Sequence, residues 1–296
     1  MAGDLTTLAV NSSSAFGSRR NSQRQFPIII RRNSGWVPIN LKEIWEYREL
    51  FYFLAWRDIK VRYKQMFLGI GWALLQPFMT MLVFSFFLGR LVRVPSDGIP
   101  YPLFIFCALL PWQLFARALT DSSNSLVANQ NLLTKVYFPR LIVPLAAGLP
   151  ALVDFAFALA ALVAMMSYYD LFLTPAVWKL PGLVLLALGA ALGIGIWLAA
   201  LNVKYRDAKH IVPFFLQIWL FVTPVSYPIS LVPERWRLLY SLNPMTSVVE
   251  GFRSILIGTS TELTLMLAVS IAVVSLSMVS GLYYFQRMER TFADIV

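Results

Sequence analysis

The sequence predicts an all-α integral membrane protein with six transmembrane helices, and three observations carry that expectation. Hydrophobic residues make up 58% of the chain and charged residues 14%, whereas a soluble domain is about a quarter charged. Apolar runs approaching or exceeding the roughly 20 residues that a spanning helix needs recur along the chain. Residues 50 to 77, LFYFLAWRDIKVRYKQMFLGIGWALLQP, pass from an apolar segment (Leu50 to Trp56) through Arg57, Asp58, Lys60, Arg62 and Lys64 into an apolar run that opens at Met66. That order describes a helix lying on the inner membrane surface and turning into a first span. Its cations sit among phosphate headgroups, with Trp45, Tyr52, Trp56 and Tyr63 at interfacial depth.

Residues 1 to 36 are rich in Ser, Asn, Gln and Arg without periodicity, and LTTLAV is too short for the h-region of a secretory signal. They read as an uncleaved, disordered cytoplasmic tail. Residues 37 to 66 form the surface helix. Asn40 stands as its N-cap, Glu43 three residues on has capping-box spacing, and Leu41, Ile44, Trp45, Phe51, Tyr52 and Ala55 keep a helical rhythm. Residues 67 to 296 hold the six spans: Gly71 to Gly89, Tyr101 to Leu119, a third within Leu141 to Tyr169, Leu180 to Leu201, Ile211 to about Ile229, and Leu263 to Phe285. Most of the 25 lysines and arginines fall on one set of loops when the N-terminus is inside; Arg90, Arg93, Lys179, Arg235, Arg237 and Arg253 are the outer ones. The positive-inside rule then makes both termini cytoplasmic.

Two segments are not plain spans. The third apolar stretch is broken by Pro144, Pro150 and Asp154. Either the span is Ala151 to Tyr169 with Asp154 near its inner end, or Asp154 faces the bundle interior, since a charge at mid-bilayer costs about 2.5–3.5 kcal/mol. Residues 224 to 262 are too apolar for a free loop and too rich in proline for a span. Asn243 and Pro244 read as N-cap and first helical residue, Ser247 and Glu250 repeat the capping-box spacing, and Glu250 and Arg253 form a local pair. A polar contact of that kind in a membrane contributes about 0.6 kcal/mol. The segment is either an outer gate or a compact extracellular cap. The loop Asp121 to Arg140 carries an apolar-faced turn or two, suited either to a groove on a partner or to the lipid surface.

Several chemistries are excluded. There is no G-x-x-x-x-G-K-[ST] loop, no H-E-x-x-H and no G-x-S-x-G, so the chain is not expected to be an enzyme or to bind nucleotide. One cysteine, Cys107, and one histidine, His210, leave no disulfide and no metal cluster. The formal charge of +10 flanks apolar runs rather than forming one solvated patch, which argues against nucleic acid and for contact with membrane lipids. Asp154 reads as a lone intramembrane carboxylate, and a proton relay needs more than one.

The surface helix with the first span, the loop NQNLLTKVYFPR (129–140) with LIVPLA after it, NVKYRD (202–207) and LNPMTSVVEGFR (242–253) together resemble the polysaccharide-export branch of ABC transporter permeases. The resemblance runs in order from about residue 37 to the end; Met66 departs from it, standing where a small polar residue is usual. It implies a homodimer of permeases with two cytoplasmic ABC ATPase subunits, which bind the ATP and Mg that this chain does not. The implied substrate is an undecaprenyl-diphosphate-linked glycan of O-antigen, capsule or teichoic acid type, and the implied location is the bacterial inner membrane. It makes residues 41 to 65 an interface helix and Asn124 to Tyr137 a coupling helix, with Asn131, Leu132, Leu133, Lys135 and Tyr137 toward the ATPase. Residues 228 to 258 become re-entrant gate helices, with Tyr227, Pro228, Asn243, Pro244, Glu250 and Arg253 at the gate. Trp72, Phe78, Phe84, Phe214, Phe215, Trp219 and Phe221 are channel candidates against which sugar rings can stack; each is otherwise a lipid or packing contact. The alternative within the same fold is a permease that exports a drug or a lipid.

Overall fold

The computed structural model describes residues 41–64, 70–171, 174–205, 208–258 and 264–295. The expected tail, Asn40, Met66 and the side chain of Trp72 lie outside the described residues. Within them the chain is helical and contains no strand.

The surface helix is two pieces, α1 (Leu41–Glu46) and α2 (Arg48–Lys64), kept nearly continuous by the Phe51 N–H bond to Tyr47 O at 3.1 Å. Leu54 and Ala55 of α2 pack into an inner-end cluster with Leu126, Ile142, Ala199 and Phe285, while Trp45, Tyr52 and Trp56 stay exposed. Tyr52 and Trp56 stack with ring centroids 6.5 Å apart, and Lys60 lies 5.4 Å over the Trp56 ring, the amphipathic arrangement an interface favours.

The first span is α3 (Ile70–Phe84) continued by a wider π-helical stretch, Ser85–Val92, which ends at Arg93 in a left-handed conformation. The widening surrounds Gly89, whose missing Cβ makes room for Tyr101; a Cβ there would stand 2.6 Å from the tyrosine ring. The central post is α4 (Tyr101–Ala128), with every residue from Leu103 to Pro111 buried. A short α5 (Gln130–Lys135) and α6 (Ile142–Ala147) precede α7 (Pro150–Tyr168), which Pro150 opens at its first turn. Next come α8 (Leu180–Tyr205) and α9 (Ala208–Val222). Then follow α10 (Glu234–Tyr240), α11 (Pro244–Ile257) and α12 (Thr264–Ile295).

Small residues let these helices approach. A Cβ on Gly281 of α12 would meet the Gly193 carbonyl oxygen at 2.5 Å, and one on Gly195 would meet Ser122 Oγ at 2.7 Å. This is the packing lipid demands, because apolar side chains gain little by leaving hydrocarbon for protein.

Among the described residues five helical stretches are long and apolar enough to cross a bilayer: Leu74–Val92, Tyr101–Ala128, Ile142–Tyr168, Pro175–Tyr205 and Thr264–Glu289. The expected fifth span, Ile211 to about Ile229, is corrected at its outer end, since α9 stops at Val222 after 15 residues. At 1.5 Å per residue α9 reaches about 22 Å, short of the roughly 30 Å hydrocarbon core. The cause is the TPVSYP turn that follows, where Pro224 and Pro228 cannot continue a helix. The two readings of Asp154 merge. It stands in the second turn of α7, close to the α2 end of the molecule, and it is turned toward Arg62 and Tyr63 rather than toward lipid.

Candidate functional site

The channel candidates divide by helix face. Along α9, Ile211, Phe214, Phe215, Ile218, Phe221 and Val222 are all exposed. At 3.6 residues per turn they form one stripe, and Trp219 stands about 100° from its centre. Trp219 accordingly turns inward, edge-on to Phe115 with centroids 5.0 Å apart. On α3, Phe78 is exposed, while Phe84 is half-buried against the core. Phe86 and Phe87, an edge-to-face pair 5.3 Å apart, join the exposed set. The sequence reading did not name them; they lie in the π-helical stretch, where faces do not follow the 3.6-residue count.

The inner loop presents a different side than its leucines suggest. Leu132 and Leu133 are half-buried and pack onto the cluster around Leu54 and Leu126. Asn131 and Lys135 are exposed, and the outward apolar tip is Val136 with Tyr137, which is 87% exposed.

The outer segment is built around α11. Asn243 Oδ1 accepts the Met245 N–H at 3.1 Å, Pro244 takes the first helical position, and Asn243 Nδ2 donates to Thr223 Oγ1 at 2.9 Å. The expected second capping box is not formed. Ser247 lies inside the helix and donates to Met266 O at 3.1 Å, with Ser270 Oγ 2.7 Å away. Pro228 is buried and Tyr227 half-buried, its hydroxyl 3.4 Å from the Phe221 and Val222 carbonyls at the end of α9.

Glu250 and Arg253 are far more than a local pair. Arg253 is fully buried and Glu250 is 3% exposed, with Nη1 and Oε1 2.8 Å apart. The Arg253 guanidinium also donates to Pro224 O at 2.7 Å, Val225 O at 2.7 Å and Tyr227 O at 3.3 Å, and it lies 3.6 Å over the Phe104 ring. Buried carbonyls in the irregular turn after α9 need donors, and this one side chain supplies those of Pro224, Val225 and Tyr227. The expected weak contact is thereby corrected: five partners converge on Arg253, and sequence spacing revealed one of them.

A second constellation was not foreseen. Where α2 meets α4 and α7, Arg62 of α2 bridges Asp121 of α4 and Asp154 of α7, the latter at 2.9 Å. Tyr63 donates to the other Asp154 oxygen, and Arg117 lies 3.8 Å from Asp121. Burial pulls the Arg62 pKa down, but the two carboxylates outweigh it and hold the group above its ordinary value. Tyr63 is raised, by burial and by its bond to Asp154. Asp154 is therefore not a lone carboxylate. The sequence signal was only that Arg62 followed a basic run; its partners come from two other helices. Two cavities, of about 300 Å³ and about 670 Å³, share Arg62 and Arg117 in their walls.

The family model described as ABC-2 type transporter matches residues 49–257. The chain is 34% identical over 218 residues to "O-antigen export system permease protein RfbA" of Myxococcus xanthus, covering 73% of this chain and 83% of that protein. It is 27% identical over 243 residues to the protein of the same name from Klebsiella pneumoniae, covering 81% and 92%. It is 24% identical over 204 residues to "Polysialic acid transport protein KpsM" of Escherichia coli, covering 66% and 76%. The matched region runs from α2 through α11, and with the apolar helices it makes this a multi-pass membrane protein. The chain belongs to the ABC-2 type transporter membrane family.

Proposed function

We propose that this chain is the permease subunit of an ATP-driven exporter that moves a lipid-linked polysaccharide across the bacterial inner membrane. The observation that carries the reading is the extent of the likeness: 81% of the chain aligns with 92% of a permease named for O-antigen export. Two permeases and two cytoplasmic ABC ATPase subunits form the working unit, and the ATPases bind ATP and Mg. The substrate is a glycan on undecaprenyl diphosphate. Both termini face the cytoplasm, and α9, extended by the turn that Arg253 holds, acts as the sixth crossing. The exposed aromatic stripe of α9 with Phe78 of α3 supports a sugar-stacking wall, since a ring face binds a pyranose without demanding one stereochemistry. The buried α11 supports a gate rather than an outer cap, because its residues Pro244 to Arg253 are all buried.

The test is made in the source bacterium. Deleting the gene is expected to abolish surface glycan while lipid-linked glycan accumulates inside, and the wild-type gene restores export. Unchanged surface glycan in the deletion strain contradicts the reading.

ATPase docking is assigned to the tip at Lys135, Val136 and Tyr137. Tyr137→Asp, which puts an uncompensated charge where an aromatic is to be covered, is expected to abolish co-purification of the ATPase while the permease still inserts. Leu133→Ala, on the inward side, is expected to leave docking and lose some stability instead. Equal co-purification of wild type and Tyr137→Asp moves the docking surface elsewhere.

A further inference from the structure

We propose that the cavity of about 300 Å³ beside Arg117 binds the phosphate-bearing headgroup of a lipid, with Arg117 as its anchoring cation; which lipid this is rests on the export reading above. Four observations lead there.

The first is charge. Arg62 is held between Asp121 and Asp154, so both carboxylates are already engaged. Arg117 approaches Asp121 through Nε at 3.8 Å, beyond hydrogen-bond distance, and on the same oxygen that Arg62 holds. Its terminal guanidinium nitrogens make no hydrogen bond among the described residues, its side chain is 46% exposed, and it lines the cavity. A guanidinium with two parallel donors free is the side chain best matched to a phosphate oxygen pair.

The second is the wall. Gln76 and Gln113 line the same cavity as Arg117 and offer amide N–H donors, while Phe155 and Leu216 line it with apolar surface. A slot with cationic and amide groups beside apolar ones suits an amphiphile better than a free sugar or a metal. Its volume is at the lower end of the roughly 300–1,000 Å³ range of ligand clefts.

The third is depth. From Tyr101 to Arg117 is about 24 Å of helix at 1.5 Å per residue, and a hydrocarbon core is about 30 Å thick. If Tyr101 marks one boundary, Arg117 stands near the opposite headgroup layer. The interfacial α2, which supplies Arg62 and Tyr63, is at that end.

The fourth is access. The larger cavity, which also has Arg117 and Arg62 in its wall, is lined by Asn124 and Asn129 as well. Arg117 therefore borders two adjacent spaces, and the larger one offers polar groups to a chain carried by the headgroup.

The full-length chain is placed in nanodiscs of phosphatidylcholine and titrated with geranylgeranyl diphosphate. Arg117→Gln is expected to weaken binding by about tenfold or more, the loss of one charge-assisted bidentate contact. Arg117→Lys, which keeps the charge and loses the fork, is expected to fall between the two. Arg93→Gln, in the opposite loop, is expected to bind as wild type does. Gln113→Leu keeps every charge and is expected to weaken binding about threefold, a neutral hydrogen bond's share; it serves if Arg117→Gln does not fold. Displacement of the probe by phosphatidylglycerol discs supports a headgroup site filled from the bilayer. Displacement by inorganic diphosphate at the same concentration as by the lipid makes the ligand a free anion and overturns the proposal. Wild-type affinity in both Arg117→Gln and Gln113→Leu also overturns it. If the probe binds through Arg117 but gene deletion leaves surface glycan unchanged, the site stands and the export reading falls. If affinity is unchanged in the variants while export requires the chain, the site alone falls.

Discussion

Glu250→Leu is expected to destabilise the chain by about 3–5 kcal/mol, the range for breaking a buried ion pair and leaving one charge uncompensated. The size follows from burial. The pair is out of solvent on both sides, with Arg253 0% and Glu250 3% exposed as side chains. Without Glu250 the Arg253 guanidinium keeps its backbone acceptors and the Phe104 ring, but no negative charge faces it. Arg253→Leu is expected to cost a similar amount for a different reason. It leaves the carbonyls of Pro224, Val225 and Tyr227 without this donor at membrane depth, so the turn after α9 and the packing of α11 fail together. The double variant is expected to lose less than the sum, because an apolar pair is a closer match to the surroundings than a lone charge. Thermal unfolding in detergent, followed for all three variants, reads the difference. Wild-type stability in Glu250→Leu contradicts the assignment of Arg253 as the element that closes the outer turn.

Arg62→Leu is expected to cost about 2 kcal/mol, between an exposed pair and a fully buried one, because its partners are partly solvated. The side chains of Asp121 and Asp154 are 26% and 22% exposed. Removing Arg62 leaves Asp121 and Asp154 without the cation between them and weakens the hold of the end of α2 on α4 and α7, where the Tyr63 bond to Asp154 remains. A functional loss is expected beside the stability loss. In an assembled exporter the ATPase is expected to keep hydrolysing ATP while export falls by about tenfold or more, since about 1.4 kcal/mol already amounts to that factor in an equilibrium. Asp154→Asn, which keeps one of the two acceptor oxygens and leaves the Arg62–Asp121 pair in place, is expected to be milder than Arg62→Leu. Parallel loss of hydrolysis and export in Arg62→Leu contradicts a link through α2, because it points to loss of the whole assembly.

The helices were legible in the sequence because apolar runs and prolines act locally. Pro150 opens α7, and Asn243 with Pro244 opens α11, where their residue types predict. The helix over residues 41–64 was legible for the same reason, since its apolar residues keep a helical rhythm within one segment. The length of α9 was not, because hydropathy continues past Val222 while the backbone does not; the TPVSYP turn is apolar and non-helical at once. The two ionic networks were the least legible. Arg253 finds its acceptors on backbone carbonyls, which no residue type announces, and Arg62 finds its carboxylates on two distant helices. Composition shows charges near a membrane but not which of them face one another. The sequence gives the aromatics without their faces: Phe214, Phe215 and Phe221 are exposed on α9 while Trp219 turns toward Phe115, and Phe86 and Phe87 join the exposed set.

Reconstitution of the chain with its ATPase in liposomes loaded with undecaprenyl-diphosphate-linked glycan tests the central claim most directly. Lectin binding to the far leaflet, followed over time after ATP is added, is expected to rise only when permease, ATPase and hydrolysable nucleotide are all present. It is expected to stay at background with the Tyr137→Asp permease. Far-leaflet glycan that appears equally without ATP, or without this chain, contradicts an ATP-driven export permease.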